Sequence, residues 1–100
     1  MKYVINDDYG GFSISEAAAK RYAELKGIEF VPVPYGYGRD IERNDPVLVQ
    51  VVEELGSAAN GSYATLRITD IPSGAQYRLQ EYDGAEYIEL ATEIEWDIAS

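Results

Sequence analysis

The stretch QYRLQEYDGAEYIEL, residues 76–90, decides the fold of this chain. The DG dipeptide at its centre favours a two-residue type I′ turn, and the residues on either side alternate between apolar and polar. Such a turn gives cross-strand pairs in which apolar side chains meet apolar ones and one ion pair lies outside. The stretch therefore predicts a β-hairpin with the pairs Tyr77–Leu90, Arg78–Glu89, Leu79–Ile88, Glu81–Glu86 and Tyr82–Ala85.

Two helices are predicted before the hairpin. SISEAAAKRYAELKG, residues 13–27, starts with serines that suit a helix N-cap and ends on a glycine. DPVLVQVVEELG, residues 45–56, has Asp45 as N-cap, a proline in the first turn and an apolar stripe. Period-two alternation and short apolar runs predict the remaining strands. These strands are KYVIN (2–6), ATLRITDI (64–71) and TEIEWDI (92–98), with IEFVPV (28–33) as an edge strand or extended loop because of its prolines.

Helices early in the chain and antiparallel strands late in it indicate the α+β class. We expect two helices packed on one face of a mostly antiparallel sheet of about four to five strands. The 100 residues are enough for one modest core, so residues 1–100 are predicted to form a single compact domain. No apolar run approaches the roughly 18 residues of a membrane span, and we expect a protein of the cytoplasm.

The charge of the chain excludes several functions. Eighteen acids face eight bases, which gives a formal net charge of −10, and no base follows Arg78. Such a surface repels nucleic acid and anionic membranes and attracts basic partners. Without cysteine or histidine, the chain lacks the usual nucleophile, general base and soft metal ligands. We therefore predict no enzyme activity, no cofactor and no metal site, and interpret the carboxylates as a solvated acidic face.

The acidic face is predicted to contact a partner protein. Glu93, Glu95 and Asp97 alternate with apolar residues, so a strand would place these acids about 6.6–6.8 Å apart on one side. That spacing is close to twice the per-strand phosphate rise of B-DNA, and such a row could occupy a DNA-binding groove. Other predicted contact residues are the acids near the hairpin turn and three tyrosines that could anchor an interface: Glu81, Asp83, Glu86, Glu89, Tyr35, Tyr37 and Tyr87.

Two glycine-rich segments leave alternatives open. YGGFS (9–13) is interpreted mainly as a turn, and PYGYGRD (34–40) equally well as a turn or as a contact loop. Neither matches a phosphate-binding motif, and Asp7 and Asp8 beside the first would repel phosphate. A pocket near these segments that holds a small ligand is the alternative function. A structural or regulatory role, in which the acidity serves only solubility, is a third.

Three strings in the chain carry a resemblance to a known family. They are KYVINDDYGGFSISEAAAKRYAELKGI (2–28), RDIERNDPVLVQVVEELGSAANGSYATLRITDIP (39–72) and EYDGAEYIEL (81–90). The chain resembles a family of small proteins of phages and prophages over nearly its whole length, apart from the 29–38 loop. The acidic ending TEIEWDIAS departs from that family, whose last strand ends with basic residues and a tryptophan.

The resemblance, together with the acidity, implies a function in evading host defence. The chain is similar in kind to anti-CRISPR proteins that bind type I complexes, including type I-C, where target DNA would lie. The implied partner is a host CRISPR-Cas effector with a basic DNA-binding groove, in the cytoplasm of an infected bacterium. The mode of action would be stoichiometric binding as a DNA mimic, without direct contact to nucleic acid. A homodimer through the tyrosine-rich surface is compatible with each of these functions.

Overall fold

The computed structural model of the protein describes residues 1–34 and 36–90. It confirms the α+β class, with two helices and four strands in the described ranges. The last predicted strand, residues 92–98, lies outside these ranges. In chain order the elements are β1 (Lys2–Asn6), α1 (Glu16–Lys26), α2 (Pro46–Leu55), a 3₁₀ turn (Gly56–Ala59), β2 (Leu66–Asp70), β3 (Tyr77–Tyr82) and β4 (Ala85–Leu90).

The four described strands form two small antiparallel sheets, whereas one sheet was expected. β1 pairs with β2, and β3 pairs with β4 in the predicted hairpin register. β4 lies close to β1 but does not pair with it, because other groups occupy the free edge of β1. The Val4 N–H donates to the Arg43 carbonyl at 2.8 Å, and the Asn6 N–H donates to the Glu86 carboxylate at 2.8 Å.

The main core lies between α2 and the β1–β2 sheet. α2 contacts both strands of that sheet, while α1 packs against α2 and the 3₁₀ turn. α2 therefore covers the sheet directly, and α1 packs on α2. Apolar side chains supply the core because burying each one contributes roughly 1.5–3 kcal/mol. Its buried members are Val4, Phe12, Ile14, Ala18, Leu48, Val49, Val51, Val52 and Ala59.

Asp45 links the two helices through its side chain. Its carboxylate caps α2 by accepting from the Val47 N–H at 2.8 Å. It also accepts from the Tyr22 hydroxyl of α1 at 2.6 Å and lies 3.3 Å from the Lys26 ammonium. Burial acts to raise the pKa of Asp45, but hydrogen bonds from Tyr22, Val47 and Lys26 hold that pKa below its usual value. Burial and the bond to Asp45 raise the pKa of Tyr22 to about 12.

We expect Tyr22→Phe to alter stability at alkaline pH. The pKa of Tyr22 is raised in the folded protein, so its contribution to stability is complete below about pH 10 and is lost as the pH rises toward 12. Phenylalanine cannot ionise, so the variant should lose less stability than the wild type between these values. Urea midpoints measured across this pH window check the prediction, with Tyr82→Phe as the exposed control. Equal losses in Tyr22→Phe and the wild type would contradict it.

Among the described residues, no helix is long and apolar enough to cross a membrane.

Candidate functional sites

Glu86 is buried, and this corrects the sequence-based expectation that it belongs to the exposed acidic face. Only 8% of the residue is exposed. Its two carboxylate oxygens accept from the Arg43 guanidinium at 2.5 and 2.8 Å, and one of them also accepts from the Asn6 N–H. The Arg43 guanidinium lies 3.6 Å above the Phe12 ring. The carboxylate therefore anchors the hairpin to the body of the protein.

Strand alternation gives the physical reason for this correction. Side chains two residues apart in a strand share a face, so Glu86 points to the side of Ile88, while Glu89 points to the side of Tyr87. Glu86 and Glu89 could not have formed one acidic row on β4. The predicted strand register already implied that Glu86 and Glu89 lie on opposite faces of β4. The partner, Arg43, is far away in the chain and could not be identified from any local pattern.

A buried asparagine holds the turn of the hairpin against the body. Asn6 is fully buried, and its amide nitrogen donates to the carbonyls of Gly84 and Asp8, each at 2.8 Å. Its amide oxygen accepts from the N–H groups of Thr65 at 2.9 Å and Asp8 at 3.2 Å. Gly84, with φ of 96°, packs so closely that a Cβ would lie 2.3 Å from the Tyr9 carbonyl oxygen. The turn and the segment after β1 thus form one rigid surface.

The outer face of the hairpin is mostly neutral. Arg78 and Glu89 form the predicted ion pair at 2.5 Å, and Gln80 also donates to Glu89 at 3.3 Å. Hydrogen bonds from Arg78 and Gln80 lower the pKa of Glu89. Tyr87, predicted as an anchor, is half exposed on this face. Arg78 therefore offsets the charge of Glu89 on this face of β4.

Ion pairs take up nearly all of the cations. Seven of the eight arginines and lysines lie within 4 Å of a carboxylate among the described residues. Arg39 is the one that makes no such pair there. The excess negative charge consequently lies on acids that no base neutralises. In the described ranges these acids are Asp8, Glu29, Asp40, Glu42, Glu81 and Asp83.

Exposed tyrosines are the chain neighbours of two of these unpaired acids, Asp8 and Asp83. Tyr9, Tyr63 and Tyr82 are exposed to 66%, 74% and 73%. Their backbones lie in neighbouring segments, because Gly84, two residues after Tyr82, packs against Tyr9, and Gly10 packs against the Cβ of Tyr63. We call this region the hairpin-tip surface. It consists of Asp8, Tyr9, Tyr63, Tyr82 and Asp83.

Sequence reasoning missed most of the hairpin-tip surface. It selected Asp83 but interpreted YGGFS mainly as a turn. Phe12 of this segment packs inside, with only 7% of the residue exposed, whereas Tyr9 is 66% exposed. Gly10 and Gly11, which separate Tyr9 from Phe12, were the sequence feature that indicated different environments for the two rings. Only the folded chain brings Tyr63 next to them.

A cavity of about 640 Å³ lies beside this surface. Its floor is the segment 13–15, which two backbone contacts hold in place. The Ile14 N–H donates to the Tyr37 carbonyl at 2.9 Å, and the Gly61 N–H donates to the Ser13 carbonyl at 3.0 Å. Gly61 must be a glycine here, because a Cβ would lie 1.8 Å from the Ser13 hydroxyl. The cavity is lined by residues of the segments 10–16, 33–39 and 60–63.

The lining of the cavity mixes polar and apolar groups and contains side chains of both charges. Arg39, Ser13 and Ser62 line it together with Tyr37, which was predicted as an interface anchor. The Tyr37 hydroxyl donates to Glu16 at 3.4 Å, and Glu16 lies at the wall too. The acids expected to repel phosphate do not line the cavity. Asp7 instead pairs with Arg67 at 3.6 Å, and Asp8 accepts from the Tyr9 N–H at 2.7 Å.

Glu81 and Asp83 are exposed at the end of the hairpin, and Glu81 lies opposite Glu86 as predicted. Tyr35, Glu93, Glu95 and Asp97 lie outside the described residues. Within the part of the chain that the structure describes, no group of three potential ligand side chains could hold a metal ion.

Comparisons of the chain with models of protein families, with curated proteins and with solved structures found no match. The resemblance to phage proteins therefore stays a prediction.

Proposed function

We propose that the protein is a phage-encoded stoichiometric inhibitor of a host defence complex, an anti-CRISPR protein that blocks the DNA-binding site of a type I Cascade-like effector. It would act without turnover or cofactor, in the cytoplasm of an infected bacterium, and would not bind nucleic acid itself. The observation that carries the proposal is the separation of charge. Among the described residues almost every cation is used in an internal ion pair, and three of the six acids left unpaired lie around the hairpin turn: Asp8, Glu81 and Asp83.

The hairpin-tip surface has the composition of a contact surface for a basic protein. Tyrosine is enriched among residues that dominate binding energy, because it offers a large rigid ring and a polar hydroxyl. Tyrosine rings also accept arginine and lysine over their faces. The carboxylates of Asp8 and Asp83 would attract a basic groove over a distance and speed the encounter. The rings would then determine how long the complex lasts.

The acidic row predicted from the C-terminal segment would enlarge this surface. Glu93, Glu95 and Asp97 follow β4 in the chain, and no base accompanies them. Their docking in place of DNA phosphates stays a prediction. Glu81 and Asp83 are the described acids that such a row would join. Glu86 is removed from the proposed contact set, because Arg43 already neutralises it.

We expect Asp8→Asn with Asp83→Asn to slow association with the effector and to weaken its dependence on salt. Asparagine keeps the size of each side chain and tolerates the positive φ of 55° at residue 83. Loss of the two charges should lower the association rate by roughly tenfold at low salt. The control is Glu29→Gln with Glu42→Gln, which removes two unpaired charges elsewhere. Surface plasmon resonance at two salt concentrations measures the association rates of both double variants. Equal reductions in the two variants would contradict the proposed surface.

We expect Tyr82→Ala to act on the dissociation rate instead. Truncating an anchor ring at an interface costs about 1–2 kcal/mol or more, which corresponds to roughly a 5- to 30-fold faster dissociation. Tyr77→Ala is the control, since Tyr77 lies on the other face of β3 and packs edge-on against Tyr3 at 5.5 Å. Inhibition unaffected by Tyr82→Ala would exclude the ring from the interface.

Ligand binding is the second candidate function. It is favoured by one observation: a cavity of about 640 Å³ lies between the two glycine-rich segments where such a pocket was expected. Cavities of roughly 300–1,000 Å³ hold small molecules of cofactor or drug size. In this proposal the protein is a carrier or sponge for a small ligand. A structural or regulatory role has no comparable support.

A further inference from the structure

Arg39 gives the cavity a cation with no internal partner. Every other arginine and lysine forms an ion pair within the described residues, whereas Arg39 makes none there. Its side chain lines the cavity. Arginine is well suited to bind a phosphate or carboxylate, because its planar fork donates two parallel hydrogen bonds. In a protein with a net charge of −10, one unpaired cation at a cavity wall points to an anionic ligand.

Ser13 supplies a hydroxyl to the cavity lining. The residue is 7% exposed and is one of the residues that line the cavity. Its backbone is bonded, but its hydroxyl makes no hydrogen bond to another described residue. No buried side-chain nitrogen or oxygen of the described residues lacks a hydrogen-bond partner, so the Ser13 hydroxyl is open to solvent. It can donate a hydrogen bond to a ligand atom in the cavity.

The start of α1 adds favourable electrostatics at the same wall. Ser15 and Glu16 line the cavity, and Ser15 caps the helix by accepting from the Ala18 N–H at 3.1 Å. The first amides of an eleven-residue helix carry the positive end of its dipole. Glu16 acts in the opposite direction, but its carboxylate lies 3.3 Å from the Lys20 ammonium, which offsets the charge.

The size and the rim of the cavity indicate what the anion is attached to. A volume of about 640 Å³ far exceeds that of a free phosphate ion. Tyr63 lines the rim with 74% of its surface exposed, so its ring can stack on a flat heteroaromatic group. Ser62 and Asn60 offer further polar groups beside it. These features match a nucleotide, with phosphate near Arg39 and Ser13 and the base against Tyr63.

We propose that this cavity binds a nucleoside monophosphate or a molecule of the same chemistry. The inference specifies the ligand of the second candidate function and does not depend on binding to a partner protein. Asp7 and Asp8 do not oppose it, because neither lines the cavity. The ligand would be held by Arg39, Ser13, the first turn of α1 and Tyr63.

Isothermal titration of the full chain with AMP, GMP, CMP and UMP, each beside its nucleoside, tests this proposal. We expect one site, with at least one monophosphate bound about tenfold or more tightly than its nucleoside. Arg39→Gln should lower the affinity for the monophosphate by roughly 10- to 100-fold and leave the affinity for the nucleoside unchanged. Glu16→Gln should raise the affinity for the monophosphate by a few-fold, because a repulsive charge is removed.

Arg67→Gln is the matched control. It removes the same charge from a side chain that does not line the cavity, so monophosphate affinity should stay within about twofold. Circular dichroism checks that each variant is folded. The absence of binding by all four monophosphates at millimolar concentration would overturn the proposal. Equal affinity for nucleoside and monophosphate would overturn the phosphate site alone and leave a carrier of uncharged ligands.

Discussion

Glu86→Ala is expected to lower the free energy of unfolding by about 3–5 kcal/mol. The substitution leaves the Arg43 guanidinium, whose side chain is only 18% exposed, without its carboxylate. It also leaves the Asn6 N–H without an acceptor. A buried charge that loses its partner is more costly than a lost surface ion pair, because little water reaches it. Urea denaturation followed by circular dichroism measures the change.

Two controls make this prediction specific. Glu89→Ala removes another glutamate from the same strand, but its ion pair with Arg78 is exposed to solvent. Its effect should be far smaller. The double variant Arg43→Met with Glu86→Leu removes both charges and should recover much of the lost stability. If Glu86→Ala proves as mild as Glu89→Ala, the carboxylate does not anchor the hairpin.

Asn6→Ala is expected to cost roughly 3 kcal/mol or more. The buried amide satisfies four backbone groups of Asp8, Gly84 and Thr65; its bond to the Gly84 carbonyl is fully buried, and the other three are partly buried. Alanine leaves these groups without partners, and each buried unsatisfied group costs about 1–3 kcal/mol. Because the same bonds hold the turn against the body, partner binding by the hairpin-tip surface should weaken too. Denaturation and amide exchange at Thr65 measure the effect.

Asn44→Ala serves as the control for this substitution. Within the described ranges, the Asn44 side chain makes a single hydrogen bond, an exposed one to the Met1 sulfur at 3.4 Å. Removing it should change stability by no more than a few tenths of a kcal/mol. Similar losses in both variants would mean that the asparagine amide does not organise the hairpin turn.

Local elements of the fold were predictable because each depends on neighbours in the sequence. The N-cap and proline of α2 act within one turn, and the DG turn sets the register of β3 and β4. The arrangement of sheets was not predictable. It depends on Arg43 and Glu86, which occupy the edge of β1 and are 43 residues apart in the chain.

The candidate sites show the same difference between local features, which were predictable, and contacts between distant segments, which were not. Asp83 was predictable as an exposed residue because it lies in the DG turn. Tyr87 was predictable because strand alternation places it on the outer face of the hairpin. Tyr9 and Tyr63 become neighbours only through the packing of Gly10 and Gly84. The cavity was expected near its two glycine-rich segments, but the third wall, residues 60–63, had no sequence signal of a binding site. Contacts between distant segments thus decide which exposed residues form a site.

Binding of target DNA by a type I Cascade complex, measured with and without this protein at low and high salt, tests the proposed function most directly. We expect the protein to co-purify with the complex and to block DNA binding at low salt. Both effects should weaken as salt rises, because screening shortens the reach of the unpaired carboxylates. No association with Cascade, or normal DNA binding by a Cascade complex that carries the protein, would contradict the proposal.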